Sequence, residues 1–136
     1  MRIYLDACSL NRLTDDQSQA RIRSEADAVE QFFQLVRSGR IEWISSDALL
    51  AEVSCNPSLK RRHDVEVLLP LATETISFDA VIVERARQLE LAGYGAFDAL
   101  HLSAAEAGRA EALFLQPMTA LRAVRNVASE RRAHGC

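Results

Sequence analysis

A short apolar run that ends on a carboxylate opens the chain, at Ile3-Tyr4-Leu5-Asp6. Three consecutive apolar residues indicate a strand covered on both faces, because a half-exposed strand would alternate polar and apolar side chains. Asp6 would then lie at the carboxyl end of that strand, which is the edge where open α/β sheets bind ligands. Two interpretations of Asp6 stay open. It caps the following turn, which contains Ser9 and Asn11, or it binds a cation, a ribose or a phosphoryl group.

The size and composition of the chain predict one soluble domain. The sequence has 136 residues, of which 49% are hydrophobic and 26% charged. We expect the domain to span residues 1–132, with a frayed tail at 133–136. No apolar run approaches the ~20 residues that cross a membrane, and the first residues lead directly into a strand rather than a signal peptide. We therefore expect a cytoplasmic protein without a membrane partner.

Strand and helix patterns alternate along the rest of the chain. Apolar runs and turn signals predict further strands at 41–45, 73–77 and 112–115. Helical spacing and capping residues predict helices at 24–38, 46–55, 58–69, 79–92, 97–107 and 119–131. This order predicts an α/β fold in which a mostly parallel sheet carries helices on both faces. Asp6, Glu52 and Asp98 would then lie at or just beyond the carboxyl edge of the sheet.

These three acids share a chemical requirement. Carboxylates brought together repel one another, and a cluster of them persists only when protons or cations compensate. Mg²⁺ or Mn²⁺ is the natural partner, because hard divalent cations take oxygen ligands and can bridge a phosphate. The acids therefore suggest metal-dependent phosphodiester hydrolysis. Asp98 also has a structural interpretation, since an acid in the first turn of a helix gains roughly 0.3–1 kcal/mol from the helix dipole.

Other reactive side chains are interpreted structurally. His101 follows Asp98 by one helical turn, and with no Cys or second His near it we interpret it as a structural residue with a local hydrogen bond. The three cysteines lack the paired spacing of a zinc or redox site, so we expect them to be reduced and non-catalytic. The net charge of −3 argues against binding nucleic acid through bulk attraction. We interpret the basic run Lys60-Arg61-Arg62 as a solvated face, in preference to a phosphate-binding one.

The sequence resembles the PIN domain, and specifically the VapC-type toxins of bacterial toxin–antitoxin pairs. The resemblance covers nearly the whole chain. It rests on Ile3–Asp6, on Ile44–Ser46 followed by Leu50–Val53, and most specifically on Phe97–Gly108. It implies a three-layer α/β/α sandwich that cleaves RNA with Mg²⁺ or Mn²⁺. It also implies a homodimer, and a cognate antitoxin that inserts a C-terminal segment into the active-site groove.

Individual site residues follow from this resemblance. Asp6 and Asp98 resemble the family's first and third acids, which are metal ligands, and Glu52 resembles the second, which helps to hold the metal and its waters. Ser9 and Asn11 lie where family members often carry polar residues. Cys8 occupies a position where a small polar residue is common.

The chain departs from the family pattern after its last core strand. Family members usually carry a fourth acid there, but this chain reads Leu115-Gln116-Pro117-Met118-Thr119 and has no carboxylate between Glu111 and Glu130. Either the site works with three acids or its metal affinity is lowered. Thr119 is interpreted as the N-cap of the last helix, with a hydroxyl contribution to the site as the alternative.

The leading hypothesis is thus a VapC-like ribonuclease, and the alternative is a PIN fold that has lost cleavage and binds RNA or a protein partner. The candidate cations for the RNA backbone are Arg122, Arg125, Lys60, Arg61 and Arg62. A phosphoacceptor receiver domain is disfavoured because it needs a lysine after a late strand, and Lys60 is the only lysine. A nucleotide-binding Rossmann fold is disfavoured because no Gly-rich turn follows the first strand.

Overall fold

Five strands form one sheet in the part of the chain that the structure describes. The structure is a computed structural model and describes residues 1–115 and 120–123, with side chains up to Leu113. The strands are β1 (Arg2–Leu5), β2 (Glu42–Ser46), β3 (Glu74–Ile76), β4 (Ala112–Leu115) and β5 (Ala120–Ala123). They lie in the order β3-β2-β1-β4-β5, so β1 is the central strand.

The sheet is mostly parallel, as the order of elements predicted. β1 pairs in parallel with β2 and β4, and β2 pairs in parallel with β3. The register places Ile3 opposite Trp43 and Tyr4 opposite Ile44. Because parallel strands end at the same edge, the segments that follow β1 and β2 leave the sheet side by side.

Helices connect the strands at positions close to those predicted. They are α1 (Ala7–Asn11), α2 (Ala20–Arg37), α3 (Asp47–Ser54), α4 (Leu59–Glu66), α5 (Ala80–Leu91) and α6 (Ala96–Ala107), with a short 3-10 turn at Leu69–Leu71. Side chains of Ser46, Ser58 and Asp79 accept the capping hydrogen bonds at the starts of α3, α4 and α5. Among residues 1–115 and 120–123, no helix has the length and apolarity that a membrane span requires.

Two hydrophobic clusters cover the opposite faces of the sheet. Side chains alternate across a strand, so Tyr4 points to one face while Ile3 and Leu5 point to the other. Tyr4 packs in a cluster with residues of α5 and α6. Ile3 and Leu5 pack in a second cluster with residues of α1, α2, α3 and α4. The three-layer α/β/α arrangement is therefore confirmed.

The predicted last helix is wrong at residues 120–123, which form β5. This strand pairs antiparallel with β4, with Leu113 opposite Arg122. Without it, β4 would be an edge strand with unpaired N–H and C=O groups. Pairing with a neighbouring strand thus overrides the helix propensity of Ala and Leu. Thr119, Arg125 and the rest of the predicted helix and tail lie outside the described residues.

The segment between β1 and β2 also differs from the prediction. Residues 7–11, predicted as a turn and loop, form the short helix α1, and α2 begins at Ala20 rather than at Ser24. Glu25 stands at the start of the predicted helix 24–38 but lies within α2, where its carboxylate pairs with Arg21 at 3.0 Å and with Arg12 at 2.6 Å. The i,i+4 pair with Arg21 supports the additional first turn.

Candidate active site

Asp6 leaves the carboxyl end of β1 and caps α1. Its Oδ1 atom accepts hydrogen bonds from the backbone N and the Oγ of Ser9, both at 2.8 Å. The backbone of Asp6 is extended, as an N-cap requires. The turn-cap interpretation of Asp6 is therefore confirmed. Yet Asp6 is only 4% exposed at the carboxyl edge of the sheet, and such a position is costly for a carboxylate that serves only as a cap.

The two polar residues predicted near Asp6 lie in α1. Ser9 is fully buried and orients the Asp6 carboxylate through its two hydrogen bonds. Asn11 ends α1, and its backbone carbonyl accepts hydrogen bonds from the N and Oγ of Thr14. Of these two residues, Ser9 contacts a predicted site residue, Asp6, in the described structure.

Glu52 lies in the second turn of α3, directly after β2. Ser46 ends β2 and begins α3, because its Oγ accepts the N–H of Leu49 at 3.3 Å. Oε1 of Glu52 lies 2.8 Å from Nε2 of His101. The Glu52 side chain is 20% exposed and that of His101 only 2%. Glu52 therefore reaches solvent while one of its oxygens is held by a buried imidazole.

His101 connects Glu52 to a buried chain of hydrogen bonds that sequence reasoning did not predict. Nδ1 of His101 lies 2.6 Å from the Tyr4 hydroxyl, which lies 2.6 Å from Oγ of Ser46. The rings of Tyr4 and His101 also meet edge to face, with centroids 5.5 Å apart. The expected local bond of His101 is therefore wrong, since its partners lie 49 and 97 residues away in sequence.

One signal in the sequence pointed to this chain. Tyr4 sits in the middle of a buried apolar strand, and a buried tyrosine hydroxyl usually finds a hydrogen-bond partner. The sequence carried no indication that the partners would be Ser46 and His101. Burial raises the pKa of Tyr4, the hydrogen bond from Ser46 opposes this rise, and the negative charges of Glu52 and Asp6 add to it.

Asp98 occupies the first turn of α6, whose N-cap is Gly95. Its side chain is exposed and makes no hydrogen bond or ion pair with the described residues. His101 follows it by one turn on the same helix. The acid therefore lies one turn from the imidazole that holds Glu52.

Asp6 and Glu52 act electrostatically on the same two side chains. Besides Tyr4, both affect Cys8 in α1, whose pKa is raised to about 11. Desolvation of the thiol is the main cause, the charges of Asp6 and Glu52 follow, and Arg12 opposes them. Asp6 and Glu52 therefore both lie within electrostatic reach of Tyr4 and Cys8. Cys8 and Cys55 are free thiols.

A hard divalent cation suits the chemistry of these donors, because carboxylate oxygens are the ligands that Mg²⁺ and Mn²⁺ prefer. The positions of the side chains fit it less fully. Among the described residues, no three His, Cys, Asp or Glu side chains converge closely enough to hold a metal ion. Glu52 is linked through His101 and Tyr4 to β1, the strand that Asp6 follows, and Asp98 lies one turn before His101 on α6.

The predicted RNA-contacting cations are largely engaged in the protein. Arg61 pairs with Asp15 and donates from Nε to Thr14 Oγ1 at 3.1 Å. Arg62 lies 3.6 Å from a Glu66 oxygen. This favours the solvated-face interpretation for Arg61 and Arg62, while Lys60 is exposed. Arg122 lies in β5 and its side chain falls outside the described part, as does the whole of Arg125.

Comparison with known proteins agrees with this architecture. The PIN domain family model matches residues 3–115. VapC20 of Mycobacterium tuberculosis, a Sarcin-Ricin loop cleaving toxin, superposes with a TM-score of 0.59 at 15% identity, covering 86% of this chain and 92% of that one. VapBC2 of Rickettsia felis, bound to a DNA fragment from its promoter, gives 0.52 at 22%, with 81% and 84% covered.

FitAcB of Neisseria gonorrhoeae gives a TM-score of 0.51 at 17% identity, covering 79% of this chain and 83% of that one. The comparison with curated proteins found no significant match. At these identities the solved structures speak for the fold. The family model, in contrast, spans the strands and helices that carry Asp6, Glu52 and Asp98. The chain belongs to the PIN domain family.

Proposed function

We propose that this protein is a metal-dependent endoribonuclease of the VapC type, which hydrolyses phosphodiester bonds of RNA. The observation that supports the proposal is that Asp6 follows β1 and Glu52 lies on the helix after β2, with Glu52 linked to β1 through His101 and Tyr4. PIN domains are generally nucleases, and the similar VapC20 is described as cleaving the Sarcin-Ricin loop.

Asp6 and Asp98 would hold Mg²⁺ or Mn²⁺, and Glu52 would help to hold the metal and its waters. Such a cation supplies a nucleophilic water near neutral pH and neutralises charge on the phosphate. The protein's own contribution is orientation. Ser9 fixes Oδ1 of Asp6 through two hydrogen bonds, and His101 fixes Oε1 of Glu52.

The decisive experiment compares RNA cleavage by wild type and Asp6→Asn with Mn²⁺ or Mg²⁺ present. Asparagine caps helices as well as aspartate does, so the substitution removes the charge while keeping α1 capped. We expect a loss of more than about 100-fold, the upper end of what losing an outer partner of a metal ligand costs. The matched control is Asp79→Asn, the same change at the N-cap of α5, which should cleave like wild type. Equal turnover by wild type and Asp6→Asn would contradict the proposal.

A second candidate function is binding without cleavage. It is favoured by the lack of a carboxylate between Glu111 and Glu130 and of a converged three-acid group among the described residues. In this case Met118→Asp, which restores an acid after β4, would raise Mn²⁺ affinity and bring cleavage up from near zero. Tight Mn²⁺ binding and cleavage by the unmodified protein would rule this candidate out.

The proposed partners are an RNA substrate, a cognate antitoxin and a second copy of the chain. The antitoxin is supported by the similarity to FitAcB and VapBC2, which are toxin–antitoxin complexes. The proposed location is the cytoplasm. A neighbouring reading frame whose product co-purifies with this protein and suppresses its cleavage would identify the antitoxin.

A further inference from the structure

The elements that carry the three acids are joined by one chain of buried hydrogen bonds. Tyr4 lies two residues before Asp6 on β1, and Ser46 caps the helix that carries Glu52. His101 lies one turn after Asp98 on α6. The contacts Ser46–Tyr4 (2.6 Å), Tyr4–His101 (2.6 Å) and His101–Glu52 (2.8 Å) therefore tie β1, α3 and α6 together directly behind the acids.

The charge on Glu52 gives this chain a direction. A carboxylate can only accept, so Nε2 of His101 must carry a proton and donate to Oε1. In the neutral imidazole Nδ1 is then an acceptor, and the Tyr4 hydroxyl donates to it. The Tyr4 oxygen in turn accepts from Ser46, whose Oγ accepts the N–H of Leu49. With this arrangement every polar atom of the chain has a suitable partner.

The opposite tautomer leaves an unfavourable contact. With its proton on Nδ1, His101 would turn the lone pair of Nε2 toward Oε1 of Glu52 at 2.8 Å. Two acceptors would then face each other at a largely buried site, which costs the desolvation of both groups without a bond in return. Glu52 therefore selects the Nε2-protonated tautomer of His101, and the Tyr4 hydroxyl holds that ring in place by donating to Nδ1.

We propose that Tyr4 and His101 are positioning residues that fix the Glu52 carboxylate for metal binding. This inference rests on the proposed function for its metal, and on the described contacts for its geometry. A glutamate side chain with 20% exposure has several rotamers available, and fixing one of them before the metal arrives removes an entropic cost of binding. Neither Tyr4 nor His101 needs to touch metal or RNA in this role.

The test uses the full-length, metal-free protein and the variant Tyr4→Phe, which keeps the ring and removes the hydroxyl. Nitrogen NMR of His101 should show Nε2 protonated in both proteins, with Nδ1 accepting a hydrogen bond in wild type and shifted to the resonance of an unbonded nitrogen in Tyr4→Phe. Calorimetric titration with Mn²⁺ alone should show a 10- to 100-fold weaker affinity, roughly the effect of losing an outer partner of a ligand.

Two further variants separate positioning from stability. Ser103→Ala removes another buried hydrogen bond of α6, from Ser103 Oγ to the Ile82 carbonyl at 2.7 Å, and it should lose stability while keeping the Mn²⁺ affinity. His101→Gln retains an amide donor in place of Nε2 and should keep more Mn²⁺ affinity than His101→Ala. Rescue by glutamine would not be expected if His101 only filled space.

The outcomes distinguish this inference from the proposed function. Unchanged Mn²⁺ affinity or an unchanged Nδ1 resonance of His101 in folded Tyr4→Phe overturns the inference, even if the wild type cleaves RNA. Mn²⁺ affinity that depends on Tyr4, in a wild type that cleaves no RNA, supports the inference and overturns the ribonuclease. A wild type that binds no Mn²⁺ overturns both.

Discussion

Strands β1 and β2 each bury one large aromatic side chain, on opposite faces of the sheet, and the surroundings of the two side chains differ. Tyr4 on β1 and Trp43 on β2 are both fully buried. The Tyr4 hydroxyl makes two hydrogen bonds of 2.6 Å, to Ser46 and His101. Trp43 is surrounded by rings instead, with Phe33 at 5.1 Å and Phe32 at 6.5 Å between centroids. Its Nε1 has no hydrogen-bond partner among the described residues.

The two faces differ in whether their buried polar atoms have hydrogen-bond partners. Ser45 shares the face of Trp43, and its Oγ is likewise without a partner in the described part of the chain. On the other face Ser46 and His101 are bonded and lead to Glu52. The Trp43 face thus contributes packing energy, whereas the Tyr4 face also sets the orientation of a side chain in the candidate site.

The largest effect on the free energy of unfolding is expected from a substitution on the Trp43 face. Trp43→Ala should lower the free energy of unfolding by about 3–5 kcal/mol, because it removes a fully buried aromatic side chain and leaves a cavity. Guanidinium unfolding measures this change. If the two faces are separate in function, the folded fraction should keep the wild-type Mn²⁺ affinity and His101 tautomer.

The milder variant Trp43→Phe is the companion of this experiment. It removes an Nε1 that has no hydrogen-bond partner in the described structure. The expected loss is therefore packing energy alone, and most of the protein should remain folded. A weakened Mn²⁺ affinity in folded Trp43→Phe would show that the Trp43 face also orients the site, and the proposed difference between the two faces would be wrong.

The parts of the fold that were predicted correctly depend on neighbouring residues. The capping side chains of Ser46 and Asp79 lie three residues from the N–H groups that they accept, and the apolar run of β4 is continuous. β5 could not be predicted in this way. Its residues favour helix locally, and only the open edge of β4 makes them a strand.

The same distinction holds for the candidate site. Asp6 and Glu52 were chosen because each follows a predicted strand, and in the structure Asp6 follows β1 and Glu52 lies on the helix that follows β2. The role of His101 could not be predicted, because its partners come from β1 and α3 and become neighbours only when the chain folds. Sequence therefore indicated which acids reach the edge, but not what orients them.

A smaller effect is expected where α6 meets the Tyr4 face. A Cβ at Gly108 would lie 2.7 Å from Cγ2 of the fully buried Ile44, which is opposite Tyr4 in the sheet. Gly108→Ala should therefore lower the free energy of unfolding by about 1–3 kcal/mol, the usual cost of overpacking. Urea unfolding measures it.

The control for this prediction is a double-mutant cycle with Ile44→Ala, which removes the clashing methyl group. In that background Gly108→Ala should cost clearly less, because contacting residues are not additive. Equal costs in both backgrounds would show that the contact with Ile44 is not the cause of the destabilisation, and the prediction would be wrong.

The smallest expected effect is a difference between the Tyr4 and Trp43 faces in how the free energy of unfolding depends on pH. The raised pKa of Tyr4 means that above about pH 10, the ordinary tyrosine value, the unfolded chain loses a proton that the folded protein keeps. Since the unfolded state then binds fewer protons, stability falls with rising pH, by at most about 1.4 kcal/mol per pH unit for one proton.

Cys8 adds a similar slope from its ordinary pKa of about 8.5 upward, so all variants compared in this experiment should carry Cys8→Ala. In that background, with a chelator present, Tyr4→Phe should flatten the decline in stability between pH 10 and 11, roughly the onset of tyrosine ionisation. Trp43→Phe should retain the decline in full, because tryptophan does not titrate. An equal slope in Tyr4→Phe would show that the buried hydroxyl ionises as readily in the folded protein as in the unfolded chain, and this difference between the two faces would not hold.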